Sequence, residues 1–332
     1  MNWKRNLSAL YKGEHMNTEK KPLLILTGPT AVGKTALSIQ LAKAVGGEIV
    51  SADSMQVYRH MDIGSAKIRP EEMQGVKHYL IDELEPENSF HVVEFQKMAK
   101  KAMEEIYAKG KIPILAGGTG FYIQAIVKDI DFSENTEAGS YRKELEAMAK
   151  EKGAHYLHEM LEKIDEVSAQ AIHENNVKRV IRALEYYHLT GEKISVHNER
   201  ETKKESPYCF AYFVLNDERE KLYQRIEQRI DEMLENGLIE EVKALKRRGC
   251  TKDMVSMQGL GYKEILSYLD GEYSLEEAVY ILKRDTRHFA KRQLTWFRRE
   301  KDTIWMNKDE FDYNEDRILD EMLKVCRDRG IL

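Results

Sequence analysis

Apolar residues fall into two rhythms along this chain, and the change between them comes near residue 132. In the first part, short apolar runs alternate with helical stretches. Leu23-Leu24-Ile25-Leu26, Gly47-Glu48-Ile49-Val50-Ser51-Ala52, His78-Tyr79-Leu80-Ile81-Asp82 and Ile112-Pro113-Ile114-Leu115-Ala116 read as strands. The segment after Ala36 and the stretch from Phe90 to Lys109 carry the three-to-four spacing of helices. Such alternation predicts a parallel sheet whose connecting loops gather at the C-terminal ends of the strands. From Tyr141 to Thr190 the rhythm becomes purely helical, through Leu145, Met148, Tyr156, Leu157, Met160, Leu161 and Ile164, then Val177, Val180, Ile181 and Leu184. Gly153 interrupts this unit and Gly191 ends it. Tyr208 to Leu215 is again of strand type. A helical C-terminal half follows, where Ser274-Leu275-Glu276-Glu277 has the form of a capping box opening a long helix.

Between the first strand and the first helix lies Gly28-Pro29-Thr30-Ala31-Val32-Gly33-Lys34-Thr35, which matches the phosphate-loop pattern at every defined position. Strand, glycine loop and helix N-terminus together aim backbone N–H groups and the positive end of a helix dipole at an anion. Lys34 is expected at the terminal phosphates and the Thr35 hydroxyl on Mg²⁺. The predicted fold is therefore α/β, a P-loop NTPase-like parallel sheet core with an inserted all-helical subdomain and a helical C-terminal region. The predicted boundaries are a polar N-terminal extension over 1–20, the core over 21–135 and 206–332, and the insertion over 136–205.

Composition narrows the function classes. The 332 residues are 42% hydrophobic and 33% charged, which suits a helix-rich globular chain with a sizeable core. The formal net charge is −5, so binding to nucleic acid has to come from local basic surface. Cys209, Cys250 and Cys326 are scattered without metal-ligand spacing and read as reduced thiols. No apolar run approaches the roughly 18–20 residues that span a bilayer, and a cytoplasmic location is expected.

Further segments carry possible chemistry. Asp53 lies at the end of the second strand, where a carboxylate can hold Mg²⁺ through water, act as a general base, or cap a turn with Ser54. Arg59 reads equally as a surface ion pair or a ligand contact. Gly117-Gly118-Thr119-Gly120 follows the fourth strand, where glycines allow close backbone approach to a ligand, though a purely structural turn has the same pattern. On the helix from Ser274 to Arg298, Val279, Leu282, Phe289 and Trp296 make an apolar face, opposite Arg284, Arg287, His288, Lys291 and Arg298. Asp285 is the only acid between Lys283 and Arg299, so the basic excess suits a phosphate backbone better than an ordinary solvated face. Lys178, Arg179 and Arg182 form a second basic cluster in the insertion. His155 and His158 are three apart but lack a third ligand, and they read as helix-surface residues.

In order, the segments GPTAVGKT at 28–35, DSMQVYR at 53–59, GSAK at 64–67, HYLID at 78–82, GGTGFY at 117–122 and KRVIRALE at 178–185 resemble the bacterial tRNA dimethylallyltransferases. RIDEMLENGLIEEV at 229–242, QGLGYKE at 258–264 and KRQLTWFR at 291–298 continue the resemblance, which extends from Lys21 to Trp305. Ser65 replaces a more usual Thr, and Lys77-His78-Tyr79 stands in place of Pro-His-His. The resemblance implies transfer of a dimethylallyl group from dimethylallyl diphosphate to N6 of the adenosine immediately 3′ of the anticodon, in tRNAs reading codons that begin with U. It implies Asp53 as general base, with Thr119 and Arg219 orienting the reactants, and Gly28, Pro29, Thr30, Ala31, Val32, Gly33, Lys34 and Thr35 holding the diphosphate with Mg²⁺. It assigns tRNA contacts to Asp53, Ser54, Met55, Gln56 and Thr119, to Lys178, Arg179, Val180, Ile181 and Arg182, and to Met257, Gln258, Gly259, Leu260, Gly261, Tyr262 and Lys291. It requires no obligate protein partner, and a monomer suffices.

Three other functions use part of the same sequence. A small-molecule phosphate-loop kinase would hold ATP on the loop but leaves the basic helical half unexplained. An isopentenyltransferase acting on free adenine nucleotides would not need the clusters at 178–182 and 284–298. A non-catalytic tRNA-binding protein would need neither Lys34 nor Asp53.

Overall fold

The computed structural model describes residues 20–132 and 139–332. The predicted extension, apart from Lys20, and the predicted boundary at 135–136 lie outside the described residues.

The strands are β1 (Lys21–Thr27), β2 (Glu48–Ser51), β3 (His78–Tyr79), β4 (Pro113–Ala116), β5 (Tyr208–Asn216) and β6 (Thr303–Asn307). They form one sheet in the order β3-β2-β4-β1-β5-β6, and every neighbouring pair is parallel. β1 lies at the centre, in register with β4 through Ile25 opposite Leu115 and with β5 through Ile25 opposite Tyr212. Leu23 to Leu26 are fully buried, as expected for a strand covered on both faces.

In the first part of the chain the helices are α1 (Lys34–Val45), α2 (Val92–Ala108) and α3 (Gly120–Val127). The insertion carries α4 (Gly139–Ile164), α5 (Glu166–Ala171), α6 (Val177–Thr190) and α7 (Ile194–Lys203). The C-terminal part carries α8 (Arg219–Glu235), α9 (Leu238–Arg247), α10 (Tyr262–Leu269), α11 (Leu275–Phe297) and α12 (Glu315–Asp328). The α4–α7 unit fills the crossover between β4 and β5 and builds a separate core from Leu145, Leu157, Leu161, Val180, Ile181 and Leu184. Gly153 breaks α4 with φ 87° and ψ 167°, and Gly191 ends α6 in the left-handed region.

Two elements depart from the sequence reading. The third strand stops at Tyr79, because Leu80 and Asp82 have φ of 62° and 55° and turn the chain back against the loop after β2. Asp82 N–H then bonds the Gln56 carbonyl at 3.2 Å. β6 carries no strand prediction: its five residues complete the sheet edge beside β5, with Met306 buried. At the start of α11, the Ser274 side chain accepts the Glu277 N–H at 3.1 Å, the serine half of the predicted capping box.

Candidate functional site

The ends of β1, β2, β4 and β5 open into a cleft of about 510 Å³. From β1 come Thr30, Gly33, Lys34 and Thr35; from β2, Ser51, Asp53 and Gln56; from β4, Gly117 and Gly118. Helix α8, which follows β5, contributes Arg225, Gln228, Arg229 and Glu232, and α11 contributes Phe289 and Gln293. A single site thus draws on segments more than two hundred residues apart, gathered at the sheet edge where parallel folds place their chemistry.

The phosphate loop turns into α1 through Gly33, which has φ 100°. Lys34 Nζ donates to the carbonyls of Gly28 at 3.1 Å and Pro29 at 2.7 Å. Burial, with the neighbouring Arg229 charge, lowers its pKa to about 7 against the opposing pull of Asp53. Lys34 is therefore the one loop side chain whose charge changes close to neutral pH. Thr35 is exposed at the N-terminus of α1.

Asp53 caps a turn and also lines the cleft. Its Oδ1 accepts the Met55 N–H at 2.8 Å and the Gln56 N–H at 3.4 Å, a turn cap. The carboxylate nevertheless lines the cleft beside Lys34 and Arg229, and Oδ2 takes no part in the turn cap. His78 lines the same wall with Nδ1 2.9 Å from the Val76 carbonyl, and burial lowers its pKa, which favours the neutral ring. Arg59 is spent on the Asp82 carbonyl at 2.8 Å and on Glu85 at 2.9 Å, outside the cleft.

Arg219, the arginine assigned from the sequence, does not line the cleft. Arg219 is exposed on the first turn of α8, its guanidinium stacked over the Tyr223 ring. Arg225 and Arg229 face the cleft instead. At about 100° per residue, positions six and ten beyond Arg219 lie well around the helix from it, whereas 225 and 229 share a face. Arg225 pairs with the buried Asp217. Burial lowers the pKa of Arg229 but leaves a guanidinium charged. The i, i+4 spacing of these arginines directly after a strand was visible in the sequence. Lys308, buried after β6, was not: its Nζ lies 3.4 Å from where a side-chain carbon on Gly33 would be, and 3.7 Å from Glu315. Thr119 occupies the N-cap position of α3, without a capping side-chain bond, one residue beyond the lining stretch, and its N–H bonds the carbonyl of Ala52, next to Asp53, at 3.2 Å.

Gln293 was not singled out from the sequence either. Its Oε1 accepts the Thr30 N–H at 2.9 Å and its Nε2 donates to the Gly118 carbonyl at 2.9 Å.

Residues assigned to tRNA contact divide by burial. Lys178, Arg179, Gln258 and Lys291 are exposed. Val180 and Ile181 are not available to a partner, because their side chains pack in the core of the insertion. Arg182 leans on Glu185 at 3.6 Å, a carboxylate already gripped by Arg142. Met257 and Tyr262 are likewise buried. Glu241 accepts the N–H groups of Asp62, Ile63 and Gly64 at 2.8, 2.8 and 3.0 Å and the Tyr262 hydroxyl at 2.8 Å. That hydroxyl also receives the Ser65 N–H at 3.1 Å, and a side-chain carbon on Gly64 would come within 2.7 Å of the Tyr262 ring. Gly259 lies against Met55, with Gly261 and the half-buried Leu260 completing this backing for the 53–67 segment. On α11, Arg284 pairs with Asp285, Arg287 with Glu227 and Lys283 with Asp231, which trims the predicted basic face. Lys291, Arg298 and Arg299 enter no ion pair among the described residues, and Arg292 lies over the Phe289 ring at the cleft wall.

A glycine loop at a helix N-terminus, a carboxylate across from it and part-buried cations between them define a phosphate-loop α/β protein whose cleft suits an anionic ligand. The IPP transferase family model matches residues 56–300, and the chain belongs to that family. It is 63% identical over 313 residues to a tRNA dimethylallyltransferase of Lachnoclostridium phytofermentans, covering 94% of this chain and 99% of the relative. It is 52% identical to that of Clostridioides difficile, covering 93% and 99%. Among solved structures, the tRNA isopentenylpyrophosphate transferase of Bacillus halodurans superposes with a TM-score of 0.71 at 45% identity, over 94% of this chain and 98% of that one. A eukaryotic dimethylallyltransferase captured acting on tRNA superposes at 0.73 and 29% identity, over 86% and 74%.

Proposed function

We propose that this chain transfers a dimethylallyl group from dimethylallyl diphosphate to N6 of the adenosine 3′ of the anticodon in tRNA. The observation that carries the reading is Asp53 sharing one cleft with Lys34, Arg225 and Arg229. The names of its relatives point the same way. An adenine amine is a weak nucleophile, because its lone pair is delocalised into the ring. As N6 attacks C1, the C1–O bond breaks and the diphosphate leaves with its electrons. Asp53 takes the N6 proton, while Lys34, the arginines and the loop N–H groups stabilise the charge developing on the leaving group. The adenosine must leave its stack to reach Asp53, which is cheapest in an unpaired loop.

Mg²⁺ fits the donors present. Among the described residues no cluster of three or more His, Cys, Asp or Glu is poised to hold a metal. Thr35 and Asp53 flank the cleft, and Mg²⁺ is commonly held by one or two protein oxygens with substrate phosphates and water. Bound there, it would neutralise charge on the diphosphate.

The deciding assay incubates the protein with Mg²⁺, labelled dimethylallyl diphosphate and either unmodified tRNA or AMP. Label in tRNA alone is expected. Label in AMP would favour the adenine-nucleotide enzyme, and ATP turnover without prenyl transfer would favour the kinase. Lys291→Ala should weaken tRNA binding and lower the slope of log K against log salt by about one, measured by filter binding across a salt series. Among the described residues no helix is long and apolar enough to cross a membrane, and we expect a cytoplasmic enzyme acting as a monomer.

A further inference from the structure

We propose that Gln293 is a positioning residue for the diphosphate, an amide clamp that sets the phosphate loop before substrate arrives. This rests on the prenyl-transfer reading above. The side chain is 6% exposed and reaches from α11 to two loops that leave different strands. Its carbonyl oxygen accepts from Thr30 in the loop after β1, and its amino group donates to Gly118 in the loop after β4. Gly118 is required for this approach, since a side-chain carbon there would lie 2.3 Å from Nε2.

A neutral amide is suited to the position because it accepts and donates at once. An ionised carboxylate could satisfy Thr30 but would face the Gly118 carbonyl with a second acceptor. An ammonium could satisfy Gly118 but would leave Thr30 N–H without an acceptor. With the amide in place, the Thr30 peptide is fixed by protein, and the loop is held in one conformation without help from the anion. Losing the clamp leaves a part-buried donor and a buried acceptor unpaired, and the loop peptide relieves this by turning away. The ordering that the clamp supplied must then come from the diphosphate itself.

The test measures inorganic pyrophosphate binding by calorimetry to the full chain, as wild type, Gln293→Met and Gln293→Glu, alongside binding of an anticodon stem-loop RNA. Gln293→Met should weaken pyrophosphate about tenfold to a hundredfold, leaving RNA affinity within about twofold. Gln293→Glu should be weakened similarly at pH 8. Relative to wild type at each pH, it should recover as pH falls towards 5, because burial raises the carboxyl's pKa above the usual value of about 4.3 and a protonated carboxyl both accepts and donates as the amide does. Unchanged pyrophosphate affinity in Gln293→Met, or no recovery of Gln293→Glu, overturns the clamp. Parallel loss of RNA and pyrophosphate binding in both variants also overturns it, by making Gln293 a packing residue. Prenyl transfer by the wild type is scored separately: its failure sinks the enzymatic reading, whereas the pyrophosphate contrast judges the clamp.

Discussion

Asp53→Asn is expected to slow prenyl transfer at least about a hundredfold, measured in single-turnover assays with saturating tRNA, because positioned general bases contribute factors of 10²–10⁴. This variant separates the two jobs of the side chain. An asparagine oxygen can still accept the Met55 N–H that Oδ1 accepts at 2.8 Å, so the turn survives while the proton acceptor is lost. Asp53→Ala removes both, and should add a loss of about 1 kcal/mol in stability for the missing hydrogen bond. Affinity for tRNA should stay within a few-fold in Asp53→Asn. A large loss of tRNA affinity there would make Asp53 a residue of loop shape, and a rate near wild type would remove it from the chemistry.

Lys34→Met should weaken diphosphate binding by at least about thirtyfold, since truncating one partner of a buried charge pair costs roughly 2–5 kcal/mol. The pH dependence carries a sign. In the free protein burial and the Arg229 charge hold the Lys34 pKa at about 7. A bound diphosphate favours the charged ammonium and raises that pKa. Below pH 7 the free lysine is already protonated and adds no pH dependence. Above pH 7 binding must take up a proton, so affinity falls by up to about tenfold per pH unit until the bound-state pKa is reached. The diphosphate itself titrates, and the ratio of wild type to Lys34→Met isolates the lysine. Calorimetry at pH 8 in buffers of different ionisation enthalpy should report proton uptake in the wild type that is reduced in the variant. Equal uptake in both would refute this assignment.

The comparison of Arg219 with Arg229 shows where sequence reading stops. Both follow β5, and both are arginines on a polar helix. The helix phase that separates an exposed cation from a cleft cation depends on where α8 docks on the sheet, which no local pattern encodes. The side chains of Val180, Ile181, Met257 and Tyr262 are buried for a related reason. A motif marks a segment, and within a segment the alternate residues that hold it in place are as constrained as those that touch a ligand. The third strand was read three residues too long and the edge strand β6 was missed, although β6 with five residues is longer than β2 or β4. Their conformations are set by a neighbour, β2 in one case and β5 in the other.

The sequence by itself determined the phosphate loop, the alternating α/β order, the helical unit between β4 and β5, and Asp53 at a strand end. Each of these is written in a local pattern: glycines at fixed offsets, apolar periods of two or of three to four, and a polar residue at the end of an apolar run. The tertiary structure alone decided that Gln293 bridges two glycine loops, that Arg225 and Arg229 line the cleft, that Lys308 stands behind Gly33, and that Glu241 with Tyr262 holds the 62–65 backbone. These partners lie between about twenty and well over two hundred residues apart in the chain. Their meeting is fixed by sheet order and helix docking, through burial of apolar surface that is non-directional in the sequence and becomes specific only once the core has packed.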